Sequence, residues 1–535
     1  MKIKDWIHFF RIELLLFAEA LFLFCGYIVC YFLELPLSRQ TFYVATILAA
    51  GAWLIVFIPN LIAFVFSHKR HFCSVFSNMS GTEMQSKYRT KAMHPPVAEE
   101  LLQKQPEGII FGRVGMQYVR KPIDQDGHVF VIGGSGSGKS SCVVIPTLLA
   151  NTHTSVFAVD IKGELHSKAT KRGDRNIKVF DPADRHSFGY DPFYRISKSS
   201  TNQEIYETMQ LVTNSLIPLP ASVKDPFWKQ SARNLLLGLL IYFYNLNFDN
   251  LIDIVDQIKA RPIQQTMKEV LEHSPHESME YKILVQFNNM ADVTISGIFM
   301  EMNLHLNIFC MDEDIRYAFR DNYLHLSPKD LEDGKSIYLA IREDKLSAYY
   351  DVLQLIINQF LSQLETRPED SDRIVFIIDE LPRILSTGKL DKLMDAVHTL
   401  RSRKVTLVLI SQSVEALTSA YSENEVVDII SNCSYVEVLS AASTKTQEMI
   451  VAWCGKYKEK KSTWSGGITK REHYTMEEND IVRASDLMRL QLEGDAIVIT
   501  PYGYFRIKKA PYYKDVKLKK LEQETKNYNE CLGGN

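Results

Sequence analysis

The chain has 535 residues, 46% of them apolar and 23% charged, and a formal charge of −3 from 61 Lys and Arg against 64 Asp and Glu. That balance excludes a disordered chain, a collagen-like repeat, a disulfide-stapled miniprotein and a uniformly basic nucleic-acid binder, while leaving room for a local basic patch. The eight Cys form no Cys-x-x-Cys pair, so they read as reduced thiols rather than as a zinc site or a disulfide frame.

Two apolar runs open the chain, at residues 14–33 and 41–66. Each reaches the ~20 residues that a membrane-spanning helix needs. Only residues 34–40 separate them, which predicts a tight hairpin. Lys2, Lys4 and Arg11 precede the first run, Lys69, Arg70, Lys87, Arg89 and Lys91 follow the second, and the turn holds only Arg39. Positive charge stays inside, so the pattern predicts a multi-pass anchor in the cytoplasmic (inner) membrane, with both termini and the main body cytoplasmic. Pro59 is expected to kink the second span. Glu19 is costly in lipid and predicts a facing helix or a shallow position. The anchor is assigned to residues 1–70 and a polar linker to 71–107.

Residues 128–132 read as a short buried strand. Gly133, Gly134, Ser135, Gly136, Ser137, Gly138, Lys139 and Ser140 then fit G-x-x-x-x-G-K-[ST], and Ser141 leads into a helical stretch at 142–150. Strand, glycine turn and helix are the context that a phosphate loop requires. Backbone N–H groups cradle the phosphates, Lys139 reaches the β- and γ-phosphates, and Ser140 offers its hydroxyl to Mg²⁺. ATP with Mg²⁺ is the expected ligand.

Such a loop needs an acidic partner. The apolar run 373–378 ends in Asp379-Glu380, where Asp379 would complete the Mg²⁺ shell with Ser140 and Glu380 would polarise the attacking water. The strand-like run 405–410 ends in Ser411-Gln412, which puts Gln412 in reach of the γ-phosphate or the water. Arg401 and Arg403 precede that strand; an arginine here either reaches a neighbouring subunit's nucleotide or belongs to a solvated turn. Two further runs end in acids, 155–159 at Asp160 and 177–180 at Asp181. Alternating strands and helices predict an α/β parallel sheet whose ligands collect at the carboxyl ends of the strands, Asp160 among the binding residues.

Between about 200 and 328 glycine thins out and helical periodicity takes over, as in 227–245 and 286–306. The simplest parse is a nucleotide-binding domain in two parts, 108–199 and 329–515, interrupted by an all-α domain at 200–328. The basic stretch 457–471, with Trp464, reads either as a loop that touches nucleic acid or as a solvated surface loop. Residues 516–535 read as a polar, frayed tail.

The ordered set GGSGSGKSS, VFAVDIKGEL, VFDP, DPFWKQSARNLLLGLL, IVFIIDELPRIL, RSRKVTLVLISQS and APYYKD resembles the coupling proteins of type IV secretion systems, the conjugative DNA-transfer ATPases. The resemblance spans about residues 110–515. It implies a RecA-like nucleotide domain with an inserted all-α domain, working as a membrane-anchored homo-hexamer. Such a ring passes single-stranded DNA with its attached relaxase, or a protein substrate, to the secretion channel, aided by relaxosome accessory proteins. It implies catalytic roles for Lys139, Asp379, Glu380 and Gln412, and for Arg401 as an arginine finger. The short turn at 34–40 departs from members with a larger external loop, and no long acidic tail is present. Two other readings compete: a DNA translocase of the chromosome-segregation type, and a substrate receptor that binds nucleotide without hydrolysing it.

Overall fold

The computed structural model describes residues 95–161, 163–170, 176–220, 225–465 and 471–533, with isolated positions between 21 and 50. The chain divides into two compact units, Met1–Ala92 with Lys458–Glu477, and Met93–Tyr457 with Glu478–Asn535.

In the first unit Leu21, Phe24, Cys25, Ile28, Thr41, Tyr43–Ile47 and Ala50 are helical. The remainder of the two apolar runs, with Glu19, Pro59, the turn at 34–40 and linker residues 67–94, lies outside the described residues. The stretch read as a loop at 457–471 falls in a two-stranded ribbon, Lys456–Ser465 against Arg471–Asp480, with residues 466–470 outside the description.

The second unit is built on a twelve-stranded sheet. Its strands are β1 (Leu102–Gln103), β2 (Ile109–Val114), β3 (Gln117–Lys121), β4 (Val129–Ile132), β5 (Ser155–Asp160), β6 (Ile177–Phe180), β7 (Ser336–Ala340), β8 (Ile374–Ile378), β9 (Val405–Ser411), β10 (Tyr435–Val438), β11 (Asp495–Thr500) and β12 (Gly503–Lys508). The order is β1-β3-β2-β12-β11-β10-β4-β9-β8-β5-β7-β6. From β10 to β6 every neighbouring pair is parallel. The flank from β1 to β10 is antiparallel. The sequence reading missed that flank and assigned β1 to the linker; β1 pairs with β3, so the sheet begins inside residues 71–107. Gly115, at φ 59°, lies between β2 and β3, where a tight hairpin turn calls for a left-handed residue.

β5, β8 and β9 are buried along their whole length. Continuous apolar runs of this kind belong to parallel strands covered on both faces. Alternate residues serve opposite layers. Phe130, Phe157, Val159, Phe376 and Ile378 point to one core, and Val129, Val131, Val156, Ala158 and Ile377 to the other. The Phe157 ring stacks on Phe376 at 4.2 Å and tilts against Phe360 at 4.7 Å, tying β5, β8 and the helix over them together. Each such ring contributes roughly 1.5–3 kcal/mol through burial.

The helices that matter for the site are α1 (Lys139–Ala150), α2 (Asn202–Leu216), α3 (Phe227–Asn245), α4 (Asp292–Met311), α5 (Tyr350–Leu364), α6 (Leu393–Thr399) and α7 (Ala484–Glu493). α2, α3 and α4 belong to the insertion, joined there by Leu251–Lys259, Ile263–His273 and Met279–Leu284. A capping box between Thr201 and Glu204 starts α2. Asp225 accepts from the Phe227 amide and starts α3. The continuous helix read at 286–306 is broken; a short turn at Val285–Phe287 and the Asn-rich residues 288–291 precede α4. Asparagine competes for backbone partners and favours turns. Trp228 of α3 lies against Gly297 of α4, where any Cβ would meet the indole ring.

Among the described residues α4 is long and apolar enough to cross a membrane. Ile295, Ile298, Met302, Leu306 and Phe309 on it are instead buried in the protein core. A two-residue parallel pairing, Gly189–Tyr190 with His325–Leu326, closes the base of the insertion.

The tail is helical from Val516 to Gly533 rather than frayed. Asp515 caps it by accepting from the Lys517 and Leu518 amides at 3.0 and 3.1 Å, and Leu518 is fully buried.

Candidate active site

β4 delivers the chain into the loop and α1 takes it away. Gly136 and Gly138 have φ of 71° and 102°, a region that side-chain-bearing residues rarely adopt. The loop thereby reverses within a few residues and presents the amino end of α1, whose first N–H groups lack intrahelical acceptors. The helix begins at Lys139, three residues before the start read from sequence.

The acidic partner strand is not the neighbour of β4. β9 lies between β4 and β8, so Gln412 emerges between the phosphate loop and Asp379-Glu380. The three strand ends place five side chains together. Ser140 Oγ donates to Asp379 Oδ2 at 3.1 Å. Lys139 Nζ lies 3.2 Å from Glu380 Oε1, and donates to the Gly133 and Gly134 carbonyls at 3.0 and 3.4 Å. Gln412 Nε2 donates to Glu380 Oε2 at 3.2 Å. Glu380 itself has φ 58°, a left-handed conformation that costs a non-glycine residue roughly 1–3 kcal/mol and that recurs where a side chain must be aimed.

Asp379 Oδ1 is enclosed and has no hydrogen-bond partner. Burial, and next the negative charge of Glu380, push the Asp379 carboxyl up to about 6, against the Ser140 hydrogen bond and the Lys139 charge. An unpartnered carboxylate oxygen next to a serine hydroxyl at the end of a phosphate loop fits a hard divalent cation, which takes oxygen donors. The donor set Ser140 and Asp379 therefore suits Mg²⁺ held with a nucleotide.

Asp160 is one strand from Asp379, through the β5–β8 pairing. Its Oδ2 is committed to His166, accepting from the His166 amide at 3.0 Å and contacting its ring Nδ1 at 2.9 Å. Its charge is also close enough to act on the Asp379 carboxyl, raising it. Asp181 sits on the edge strand, three strands from β8, and its Oδ1 accepts from the Ala183 amide to close a turn. Arg401 is at the opposite end of the sheet. β9 has seven residues, so about 20 Å separates the turn at Arg401 from the end of the strand at Gln412. The structure does not bring Arg401 to this chain's own phosphate loop.

Sequence reasoning missed the residues that hold the loop from behind. Ser440 Oγ accepts from the Gly134 amide at 3.0 Å. Gln491 of α7 donates to the Gly136 carbonyl at 3.2 Å. Lys509 Nζ donates to the Ser137 and Leu439 carbonyls at 2.9 and 3.0 Å, and the Tyr512 amide donates to the Ser141 carbonyl. These braces sit hundreds of residues from the loop in sequence, and only the APYYKD segment had drawn notice, without a role.

The fold and site define a P-loop nucleotide-binding protein of RecA-like design. The sequence matches the family described as Type IV secretory system Conjugative DNA transfer over residues 78–532, and the chain belongs to that family. It is 25% identical over 411 residues to protein VirD4 of Agrobacterium fabrum, covering 74% of this chain and 60% of that protein. It is 21% identical over 334 residues to the conjugal transfer protein TraG of Escherichia coli, covering 57% of this chain and 51% of that one. The chain thus matches about 60% or less of the length of these curated relatives. Among solved structures it resembles the plasmid coupling protein TrwB in complex with the GTP analogue GDPNP, with a TM-score of 0.63 at 17% identity, covering 80% of this chain and 96% of that one. TrwB in complex with ADP and Mg²⁺ superposes with a TM-score of 0.61 at 18% identity, covering 76% and 90%. At this identity the likeness establishes the fold.

The raised Asp379 carboxyl predicts a stability signature. Above pH 6 the aspartate is ionised in both folded and unfolded chains, so its burial destabilises the unliganded fold. Between about 6 and the ordinary value of 3.8 it is protonated only when folded, and the cost fades. Asp379→Asn should therefore raise the melting temperature of the nucleotide-free protein most at pH 8 and not at all below pH 3.8, while abolishing Mg²⁺-dependent nucleotide binding. A melting temperature lowered at pH 8 would contradict this.

Proposed function

We propose that this chain is the membrane-anchored ATPase of a conjugative type IV secretion system. It receives a relaxase–DNA complex, or a protein substrate, and couples ATP hydrolysis to transfer through the secretion channel. Family membership supports the class of process. The convergence of Lys139, Ser140, Asp379, Glu380 and Gln412 at three strand ends carries the enzymatic part. A pure receptor has no need of a carboxylate held in a strained conformation beside a phosphate loop.

Each residue then has a role. Mg²⁺, when bound, would neutralise phosphate charge. Ser140 and Asp379 hold it, and the loop amides with Lys139 hold the phosphates. Glu380 accepts the proton of the attacking water. Gln412, already hydrogen-bonded to Glu380, reports whether the site is filled. Arg401, whose guanidinium makes no ion pair among the described residues, serves the nucleotide of the next subunit in a homo-hexamer. Arg403 is committed elsewhere, donating to the Arg367 carbonyl at 2.9 Å.

Membrane anchoring follows from the apolar runs at 14–33 and 41–66. Substrate docking falls to the insertion. Val293, Met300, Leu304 and Met311 are exposed at helical spacing along one face of α4, with exposures of 84%, 70%, 67% and 76%. Relaxosome accessory proteins and channel components complete the set of partners.

Transfer assays in cells test the enzymatic claim. With protein level and membrane location unchanged, Lys139→Ala and Glu380→Gln should each abolish conjugative transfer; transfer at the wild-type rate would refute the claim. The docking face has its own readout. Met300→Asp with Leu304→Asp should lose capture of the relaxase–DNA complex by the full chain while ATP hydrolysis persists, and full capture would move docking off α4.

A further inference from the structure

The turn that carries Arg401 is not free. Residues 400–404 close on themselves, with Arg403 and Val405 amides both donating to the Leu400 carbonyl at 3.1 Å. Lys404 completes the turn at φ 56°. The Ile374 amide donates to its Lys404 carbonyl at 3.2 Å and Leu400 is buried in the core, and a buried arginine adds a further tie to more distant segments. Arg367, with a side chain only 2% exposed, follows α5 by three residues.

The Arg367 guanidinium reaches three segments at once. It grips Glu332 in a bidentate pair, Nε to Oε1 and Nη2 to Oε2, both at 2.8 Å. Its Nη1 donates to the Arg403 carbonyl at 2.9 Å, and Nη2 donates to the Asp372 carbonyl at 2.7 Å. Arg403 answers by donating to the Arg367 carbonyl at 2.9 Å. Glu332 lies just beyond the exit of the helical insertion at 328, on the short helix Lys329–Glu332 that leads into β7. Asp372 leads into β8, the strand that ends in Asp379-Glu380.

The entrance of the insertion is tied to the same place, with Arg195 Nη1 donating to Ser362 Oγ of α5 at 3.4 Å. A cleft of ≈ 870 Å³ opens beside the clamp, lined by Arg195, Glu204, Glu207, Lys329, Glu332 and Arg367.

We infer that Arg367 is a positioning residue: it locks the Arg401 turn to the exit of the helical insertion, so that displacement of the insertion by substrate moves the finger presented to the neighbouring nucleotide. The geometry suits the task. A planar guanidinium with a bidentate carboxylate and two backbone acceptors is held in one orientation, which a lysine cannot reproduce. The clamp grips the Asp372 carbonyl leading into β8 and the Arg403 carbonyl in the finger turn, so a shift of Glu332 is passed to both. The inference rests on Arg401 acting in trans.

Mixed assemblies of the full-length, detergent-solubilised chain test it through DNA-stimulated ATP hydrolysis. Arg367→Ala and Glu332→Gln should each lower kcat, by up to ~10²-fold as expected of a misplaced catalytic group, and leave the affinity for Mg²⁺ and a non-hydrolysable ATP analogue unchanged. Co-assembled with Lys139→Ala chains, either variant should recover hydrolysis above the sum of the two parents, because its intact phosphate loop then meets an intact finger turn. Arg401→Ala with Lys139→Ala is the companion pair. If that pair recovers and neither clamp variant does, the clamp is overturned and the finger stands. If the Arg401→Ala pair does not recover, the finger reading fails and the clamp with it. Glu332→Gln, whose carboxylate is 35% exposed, keeps the test open should Arg367→Ala fail to fold.

Discussion

Everything at the nucleotide site turns on the Lys139 ammonium. Two carboxylates, Asp379 and Glu380, meet at the end of one strand, and the charge of Glu380 adds to burial in raising the Asp379 carboxyl. The Lys139 ammonium lies 3.2 Å from Glu380 and is anchored to two loop carbonyls. Without nucleotide, Lys139 is the counter-ion of Glu380. Phosphate oxygens compete for the same ammonium. On the proposed function, a bound nucleotide would draw the ammonium away from Glu380, leaving that carboxylate to act as the base. The parallel strands, the glycine turn and the braces behind it hold these side chains in place.

The frame is stiff where that exchange needs it. β8 and β9 are buried end to end, so Asp379 and Gln412 leave fully packed strands. Ser440, Gln491 and Lys509 hold the loop backbone from the opposite side. The insertion shares the core on one face of the sheet, since Phe157 and Phe376 belong to the same apolar cluster as Leu235 and Leu306. The insertion and the sheet thus pack as one core, and Arg367 bridges Glu332 to the turn at Arg403.

Much of the fold was legible from local pattern. Apolar runs closed by Asp379, Gln412 or the Gly133–Ser140 turn declare buried parallel strands, and the loss of glycine after residue 200 declares a helical insertion. The failures share a cause. β1, β3 and β12 are short or partly exposed, and the flank joins the parallel sheet only through the long-range pairings of β12 with β2 and of β11 with β10. The tail helix depends on an Asp515 cap and on Leu518 finding a distant core. His166, Lys509 and Arg367 are single polar residues whose meaning lies in contacts across 6, 372 and 36 positions, and no motif marks them. Arg401, read from sequence as serving a neighbouring subunit's nucleotide or lying in a solvated turn, sits at the opposite end of its strand from Gln412.

Equilibrium binding of Mg²⁺ and ATP to the full-length Glu380→Gln chain tests the shared-cation account most directly. Removing the charge at Glu380 frees Lys139 for phosphate. The account predicts binding tighter than wild type, with hydrolysis lost. Binding weaker than wild type would contradict it, showing that Glu380 supports the phosphate site and does not compete with it.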